Sequence, residues 1–249
     1  MQNKSAIDYF FDGFQLIKQP GIRLFVIIPL SVNVLLFGAA FIYLLGQINP
    51  LVEYLTGSVP DSLEWLKDSL SYIIWPLAVL IILLFSAFLF GTLANWIAAP
   101  FNGLLSERVE TVLTGKEIDG GGMLDIIKDI PRTLSREFTK LAYYLPRAIG
   151  FLIIFFILPV IGQVIWFLFT AWMMAIQYCD YPFDNHKISF NKMKKQLLTQ
   201  RKDSLLFGIT VTFFSMIPIV NLVVMPVAIC GATSMWVDKY RSQSLSQNN

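Results

Sequence analysis

The sequence predicts an all-α integral membrane protein with two long transmembrane helices, two intramembrane (re-entrant) helical hairpins and cytoplasmic amphipathic helices. Of its 249 residues, 55% are hydrophobic and only 14% are charged, and the mean hydropathy is +0.61. A soluble domain normally carries about 25% charged residues. Two apolar blocks, at 147–178 and 204–237, are interrupted near their middles by proline, glycine or asparagine. We expect residues 1–249 to form a single membrane domain.

The first transmembrane helix is predicted at 24–45 and the second at 72–99. A helix needs ~20 residues to cross a hydrocarbon core of about 30 Å, so both segments are long enough to span. Pro29 and Pro76 lie near the starts of these apolar runs, where a missing amide is tolerated. The preceding residues lack an apolar core followed by a cleavage site, so we expect no removed signal peptide.

The connection at 101–146 is predicted to form cytoplasmic amphipathic helices. Apolar residues recur at helical spacing from Phe101 to Leu113, and Gly115 is a plausible stop. A second helix is predicted over 123–144, with a basic stripe at every fourth position: Lys128, Arg132, Arg136 and Lys140. The pattern fits a basic face on anionic headgroups, and it equally fits an electropositive vestibule that collects an anion.

The blocks at 147–178 and 204–237 are predicted to be helical hairpins. Their first arms, at 147–158 and 204–217, would reach only ~18 to 21 Å as helices. Short, broken helices are typical of membrane proteins that move polar solutes, because their irregular backbone can face protein or water. The sequence leaves two arrangements open, six full spans or two spans with two re-entrant hairpins, and the arm lengths favour the hairpins.

The basic residues predict the orientation. With a cytoplasmic amino terminus, all but one of the 19 Lys and Arg residues lie on the cytoplasmic side. The exception is Lys67, in a 46–71 loop that otherwise carries acidic side chains. We therefore expect the 46–71 loop to lie outside.

The sequence contains no catalytic constellation, and we expect no enzyme activity and no cofactor. Its one histidine, His186, has Asp180 and Asp184 nearby, but this grouping fits turn and interface chemistry better than a metal site. Cys179 and Cys230 are predicted to be packing residues. The net charge of +2 gives no reason to expect a nucleic-acid partner.

One short stretch, LIKQPGIRLF, contains residues of the kind that bind an anion. Pro20 precedes the first membrane helix, and the amides of Gly21, Ile22 and Arg23 are expected to lack intrahelical partners. Free amides at a positive helix end favour an oxyanion, to which Arg23 could donate a hydrogen-bonded fork while Lys18 adds a point charge. The alternative is that Arg23 is an ordinary interfacial anchor.

Several stretches together resemble the bacterial CysZ-type sulfate permeases: QPGIRLFVIIPLSVNVLL, ANWIAAPFNGLLSERVE, YYLPRAIG, AIQYCDYPFDNHK and MPVAICGATSMWVDKYR. The resemblance covers nearly the whole chain, and CDYPFDNHK is its most specific part. It implies a multi-pass protein of the bacterial inner membrane that takes up sulfate for cysteine synthesis and assembles as a homo-oligomer in the lipid bilayer.

The resemblance also implies site residues. The family's anion-binding pattern of Gly, an aliphatic residue and Arg falls on Gly21, Ile22 and Arg23, but Leu24 stands where relatives can have a second arginine. A conduction path is implied near the end of the second helix, at Asn102, Glu107, Arg108 and Glu110. The competing interpretation is a non-transporting protein that shapes the membrane or scaffolds a complex. The sequence leaves open the driving force, the subunit number and the selectivity among oxyanions.

Overall fold

The structure, a computed structural model, describes residues 4–57, 64–116 and 123–246. Every regular element in these ranges is helical, which confirms the predicted all-α class. A short π-helix, Trp236–Tyr240, joins the last two α-helices. In chain order the α-helices are α1 (Ala6–Leu16), α2 (Arg23–Gly46), α3 (Ile48–Thr56), α4 (Glu64–Thr114), α5 (Met123–Ile157), α6 (Pro159–Asn185), α7 (Phe190–Thr199), α8 (Arg201–Ser215), α9 (Pro218–Met235) and α10 (Arg241–Ser246).

The helices have the length and surface of a membrane protein. Large apolar side chains face outward along them, for example Leu35 and Phe156, each 72% exposed. Extended apolar surface of this kind suits lipid rather than water. Within the described ranges, five stretches are long and apolar enough to cross a membrane: Arg23–Thr56, Ser69–Ser86, Pro131–Ile157, Pro159–Asn185 and Val220–Ser246.

The chain divides into two compact units, of which the smaller is Ile27–Ala98. In this unit α3 packs on α4 through Ile48, Val52 and Ala78. The indole nitrogen of Trp75 donates a hydrogen bond to the Asn49 side-chain oxygen at 3.2 Å. α4 runs without a break to Thr114, so the predicted second transmembrane helix and the first amphipathic helix of the connection are one helix.

The larger unit comprises Met1–Val26 and Ala99–Asn249, and its core lies among α1, α6, α7, α8 and α9. Small residues bring its helix backbones together. A Cβ on Gly13 of α1 would lie 2.1 Å from the carbonyl oxygen of Val227 in α9, and one on Gly208 of α8 would lie 1.9 Å from that of Ala171 in α6. Glycines allow close packing of this kind between membrane helices.

Two hairpins occur in the larger unit, with their turns near the predicted positions. Leu158 alone separates α5 from α6, and two residues separate α8 from α9. Proline opens α6 and α9, where its missing amide would have had no helical acceptor. α5 begins at Met123, so the first arm of the first hairpin is 35 residues long and includes the basic connection. Re-entry of the hairpins into the membrane stays a prediction.

Candidate functional site

The turn between α1 and α2 brings together two groups that the sequence predicted separately. Gly21 in this turn has φ +89°, a backbone conformation that side-chain-bearing residues rarely adopt. A Cβ placed on Gly21 would lie 3.3 Å from Nη2 and 3.6 Å from Nε of Arg108, in α4. The Arg108 guanidinium therefore lies directly against the glycine backbone, and the helix-start site acquires a guanidinium from a distant helix.

Ile22 explains how the turn is held on α4. Its side chain is fully buried, in a cluster that includes Leu105 and Val109 of α4 and Tyr181 of α6. Leu105 and Val109 lie one helical turn apart on either side of Arg108. Burial of Ile22 on this face fixes the height of the turn along α4 and so places Gly21 beside the arginine.

The backbone amides of the turn are not all available to a ligand. The amides of Ile22 and Arg23 donate to the Gln19 carbonyl oxygen, at 3.1 and 3.2 Å. The expectation of three unpartnered amides is therefore wrong for these two, because the turn folds the chain back and caps them internally. Within the described ranges, the Gly21 amide has no acceptor.

The site is positively charged. Lys18, Arg23 and Arg108 are all exposed, and in the described part of the chain none of them forms an ion pair with a carboxylate. Arg108 lies against Gly21, and Lys18 and Arg23 are within three residues of it in the chain. Exposed cations beside an open amide are suited to an anion, and guanidinium groups offer forked donors to an oxyanion.

The residues proposed for the conduction path differ in their surroundings. Asn102 is buried, and its side-chain nitrogen donates to the Tyr181 hydroxyl at 3.2 Å. Glu107 is half-buried, and burial together with the charge of Glu110 raises the pKa of its carboxyl. Arg108 is exposed beside Gly21. The path through these residues stays a prediction.

Glu110 is the centre of a buried polar cluster. Its carboxylate is fully buried and accepts hydrogen bonds from Trp236 Nε1 at 3.0 Å and Arg241 Nε at 2.8 Å. Nε2 of His186 lies 2.9 and 3.0 Å from the two carboxylate oxygens. The three partners come from the end of α6, the π-helix and α10. Glu110 thus joins α4 to the carboxy-terminal part of the larger unit.

The basic stripe of α5 is an ion-pair seam with α6. Arg136 Nη2 lies 2.6 Å from Asp180 Oδ1, and Arg132 Nη1 lies 2.5 Å from Asp184 Oδ1. Lys140 Nζ lies 3.5 Å from Asp180 Oδ2 and is buried. For these three residues, both sequence interpretations, a headgroup-binding face and an anion vestibule, are wrong because the side chains have acidic partners within the protein. α6 supplies those of the two arginines, and Lys140 pairs with Glu137 of α5 as well as with Asp180. The side chain of Lys128 lies outside the described residues.

The ion pairs between α5 and α6 could have been predicted from the spacing of the charged residues in the sequence. Asp180 and Asp184 are four residues apart on α6, as Arg132 and Arg136 are on α5, so the two pairs have matching helical spacing. His186 contacts Glu110, whereas Asp180 and Asp184 pair with arginines of α5, so the histidine and the two aspartates have different partners. Cys179 and Cys230 are free, buried thiols, in agreement with their prediction as packing residues.

Comparison of the chain with known proteins identifies its family. The model of the family described as "Sulfate transporter CysZ/Etoposide-induced protein 2.4" matches residues 9–226, which include the Gly21 turn and the polar residues at 102–110 of α4. The chain belongs to this family. The resemblance seen in the sequence motifs is therefore confirmed, and the family is one of transporters rather than enzymes.

Two relatives show how much of the chain the family covers. The sulfate transporter CysZ of Pectobacterium atrosepticum is 54% identical over 245 residues, covering 97% of this chain and 87% of that protein. The sulfate transporter CysZ of Salmonella typhimurium is 53% identical over 244 residues, covering 96% of this chain and 94% of that protein. The similarity therefore extends over both units of the fold.

Proposed function

We propose that this protein is a sulfate permease of the bacterial inner membrane that supplies sulfate for cysteine synthesis. Relatives named sulfate transporters, similar over nearly the whole chain, support the substrate. The observation that carries the site is the contact between the Arg108 guanidinium and the Gly21 backbone. We propose that the protein works as a homo-oligomer embedded in the lipid bilayer and uses no covalent chemistry.

In this proposal sulfate binds at the turn between α1 and α2. The dianion is attracted by Lys18, Arg23 and Arg108, which are exposed and lack carboxylate partners in the described ranges. The guanidinium groups donate to sulfate oxygens, and the Gly21 amide adds a neutral donor. Ile22 contributes by anchoring the turn rather than by donating its amide, which is bonded to Gln19. Leu24 stands where relatives can have a second arginine, and in this chain Arg108 provides the second guanidinium instead.

From this site sulfate is proposed to move past the polar residues at 102–110 of α4. Glu107 is the carboxylate next to Arg108 in sequence, and its raised pKa makes it easier to neutralise than an exposed glutamate. Asn102 donates a hydrogen bond to Tyr181 and Glu110 accepts one from Trp236, and these bonds hold the two side chains in place. The proposed route would use the polar gaps at the broken hairpins, which we propose are re-entrant.

Flux through liposomes that contain only this chain tests the function. Uptake of labelled sulfate by these vesicles, absent from protein-free vesicles, is the expected result. Arg108→Ala should reduce sulfate uptake strongly, whereas Arg201→Ala should not. Arg201 is a matched control because it is exposed and has no carboxylate partner in the described part of the chain. Correctly inserted protein without sulfate uptake would contradict the proposal and favour a membrane-shaping or scaffolding role.

A further inference from the structure

A second cationic site lies away from the Gly21 turn, where α5 meets α7. The guanidinium carbon of Arg147 lies 3.7 Å from the centre of the Tyr143 ring, and Lys194 Nζ lies 4.3 Å from the same centre. Lys194 Nζ is also 4.7 Å from the centre of the Phe190 ring. Arg147 is held in place by a hydrogen bond from its Nη1 to the Tyr143 carbonyl oxygen, at 2.7 Å. Two positively charged groups thus lie close to one tyrosine ring.

The two cations have no acidic counterpart. Neither Arg147 nor Lys194 forms an ion pair with a carboxylate in the ranges that the structure describes. Burial lowers the pKa of Lys194, and the charge of Arg147 lowers it further. Arg136, eleven positions earlier on the same helix, shows the contrast, because its guanidinium is matched by Asp180. The contact with the tyrosine ring offsets only part of the repulsion between two nearby like charges.

The position of the pair indicates what kind of anion would neutralise it. Immediately after Arg147, α5 turns apolar, and its side chains Ile149, Ile153 and Phe156 are exposed by 54%, 54% and 72%. A basic residue at the start of an exposed apolar stretch lies at the boundary between headgroups and hydrocarbon. A lipid whose phosphate sits at Arg147 can therefore lay its acyl chains on the exposed apolar surface of α5.

We propose that Arg147 and Lys194 form a binding site for the phosphate of an anionic phospholipid. The guanidinium donates a fork of hydrogen bonds to two phosphate oxygens, and the ammonium of Lys194 supplies a point charge from the neighbouring helix. The site joins α5 to α7 through the lipid. It is independent of the Gly21 turn and does not rest on the proposed transport of sulfate.

Native mass spectrometry of the full-length protein in detergent tests the site, with phosphatidylglycerol as the probe and phosphatidylcholine as the zwitterionic comparison. We expect phosphatidylglycerol to bind at least tenfold more tightly than phosphatidylcholine. The double variant Arg147→Ala/Lys194→Ala should lose this preference. Lys195→Ala/Arg201→Ala is the matched control, since both residues are exposed and lack carboxylate partners in the described ranges. It should bind phosphatidylglycerol like the parent protein.

The outcomes separate the alternatives. Equal binding of the two lipids by the parent, or an unchanged preference in the Arg147→Ala/Lys194→Ala variant, overturns the proposal. Displacement of phosphatidylglycerol by millimolar inorganic phosphate would assign the pair to a soluble anion and also overturn it. If the double variant does not fold, Lys194→Gln keeps the contact between Arg147 and Tyr143 and is measured instead. It should lower the affinity for phosphatidylglycerol severalfold, and an unchanged affinity overturns the proposal.

Discussion

Arg136 and Asp180 form a forked ion pair in the interior of the larger unit. Nε and Nη2 of the arginine lie 3.1 and 2.6 Å from the same carboxylate oxygen, and the aspartate side chain is only 2% exposed. The arginine also donates from Nη1 to the Ile188 carbonyl oxygen at 2.7 Å. The sequence pattern suggested a basic stripe that faces headgroups or an anion, but this arginine connects α5, α6 and the segment before α7.

Arg136→Ala should therefore destabilise the protein. Breaking a buried ion pair leaves Asp180 without its main partner, which typically costs about 3 to 5 kcal/mol. Thermal unfolding in detergent measures the effect, and Arg201→Ala is the exposed control. Adding Asp180→Asn to Arg136→Ala should recover part of the loss, because the uncompensated charge is removed. Equal unfolding temperatures for Arg136→Ala and Arg201→Ala would contradict the structural role of the pair.

Arg23→Ala and Arg108→Ala should each weaken sulfate binding. Loss of one charge-assisted hydrogen bond costs about 1.5 to 3 kcal/mol, or roughly ten- to a hundredfold in affinity. Calorimetric titration of the purified variants gives this quantity. Arg201→Ala again serves as the control, since Arg136→Ala would confound binding with stability. The loss should persist at moderate salt, because a direct contact is screened less than a diffuse field. If Arg108→Ala bound sulfate with the affinity of the parent, Arg108 would not be a sulfate-binding residue.

Gly21→Ala should disturb the same site through the backbone. An alanine there must accept a positive φ, at a cost of about 1 to 2 kcal/mol, and its methyl group would press on the Arg108 guanidinium. We expect reduced sulfate affinity and modestly reduced stability. Gly38→Ala in α2 is a matched control, because a Cβ there meets nothing within 4 Å. If both variants bind sulfate alike, Gly21 has no special role.

Glu107 predicts a dependence of stability on pH. Burial, followed by the charge of Glu110, raises the pKa of its carboxyl above the ordinary value of 4.5. The folded protein therefore holds this proton more tightly than the unfolded chain, and the resulting stability is lost as pH rises through the folded pKa. Relative to the parent, Glu107→Gln should gain stability as pH rises through this window. Unfolding temperatures of the parent and of Glu107→Gln, measured over a pH series, test this prediction. A difference between the two proteins that is constant with pH would refute the raised pKa of Glu107.

The proposal that the two hairpins re-enter the membrane predicts a labelling pattern. Val160 and Leu222, near the two hairpin turns, are 78% and 70% exposed on the protein, so the protein itself does not shield them. After replacement of both native cysteines, single cysteines at these positions should react poorly in cells with a membrane-impermeant maleimide. A cysteine at Ser58, in the loop predicted to lie outside, should react strongly. Strong reaction at all three positions would support full spans.

Most of the helices could be predicted from features of neighbouring residues in the sequence. The apolar run predicted at 24–45 forms a helix from Arg23 to Gly46, and prolines restart the helices near the predicted turns. Hydrophobic length and proline position are properties of neighbouring residues, so they can be seen in a single sequence. The boundary between the basic connection and the first hairpin was not visible, because α5 passes through Pro146 without ending.

The site was predictable only in part. Gly21 was proposed as a site residue from its position before a helix and from the family resemblance, but the approach of Arg108 depends on the burial of Ile22 on α4. The partners of Glu110 come from three elements far away in the chain, and no local spacing connects them. Such contacts follow from the packing of helices, which a single sequence specifies only indirectly.

The cluster around Glu110 has a consequence for the order in which the protein is assembled during synthesis. Glu110 leaves the ribosome long before Trp236 and Arg241, the donors that satisfy its buried carboxylate. Until the segment with Trp236 and Arg241 is made, this charge has no place in an apolar interior and must stay in contact with water or a chaperone. The larger unit, whose first helix packs on α9, can therefore close around Glu110 only after Arg241 has been synthesised.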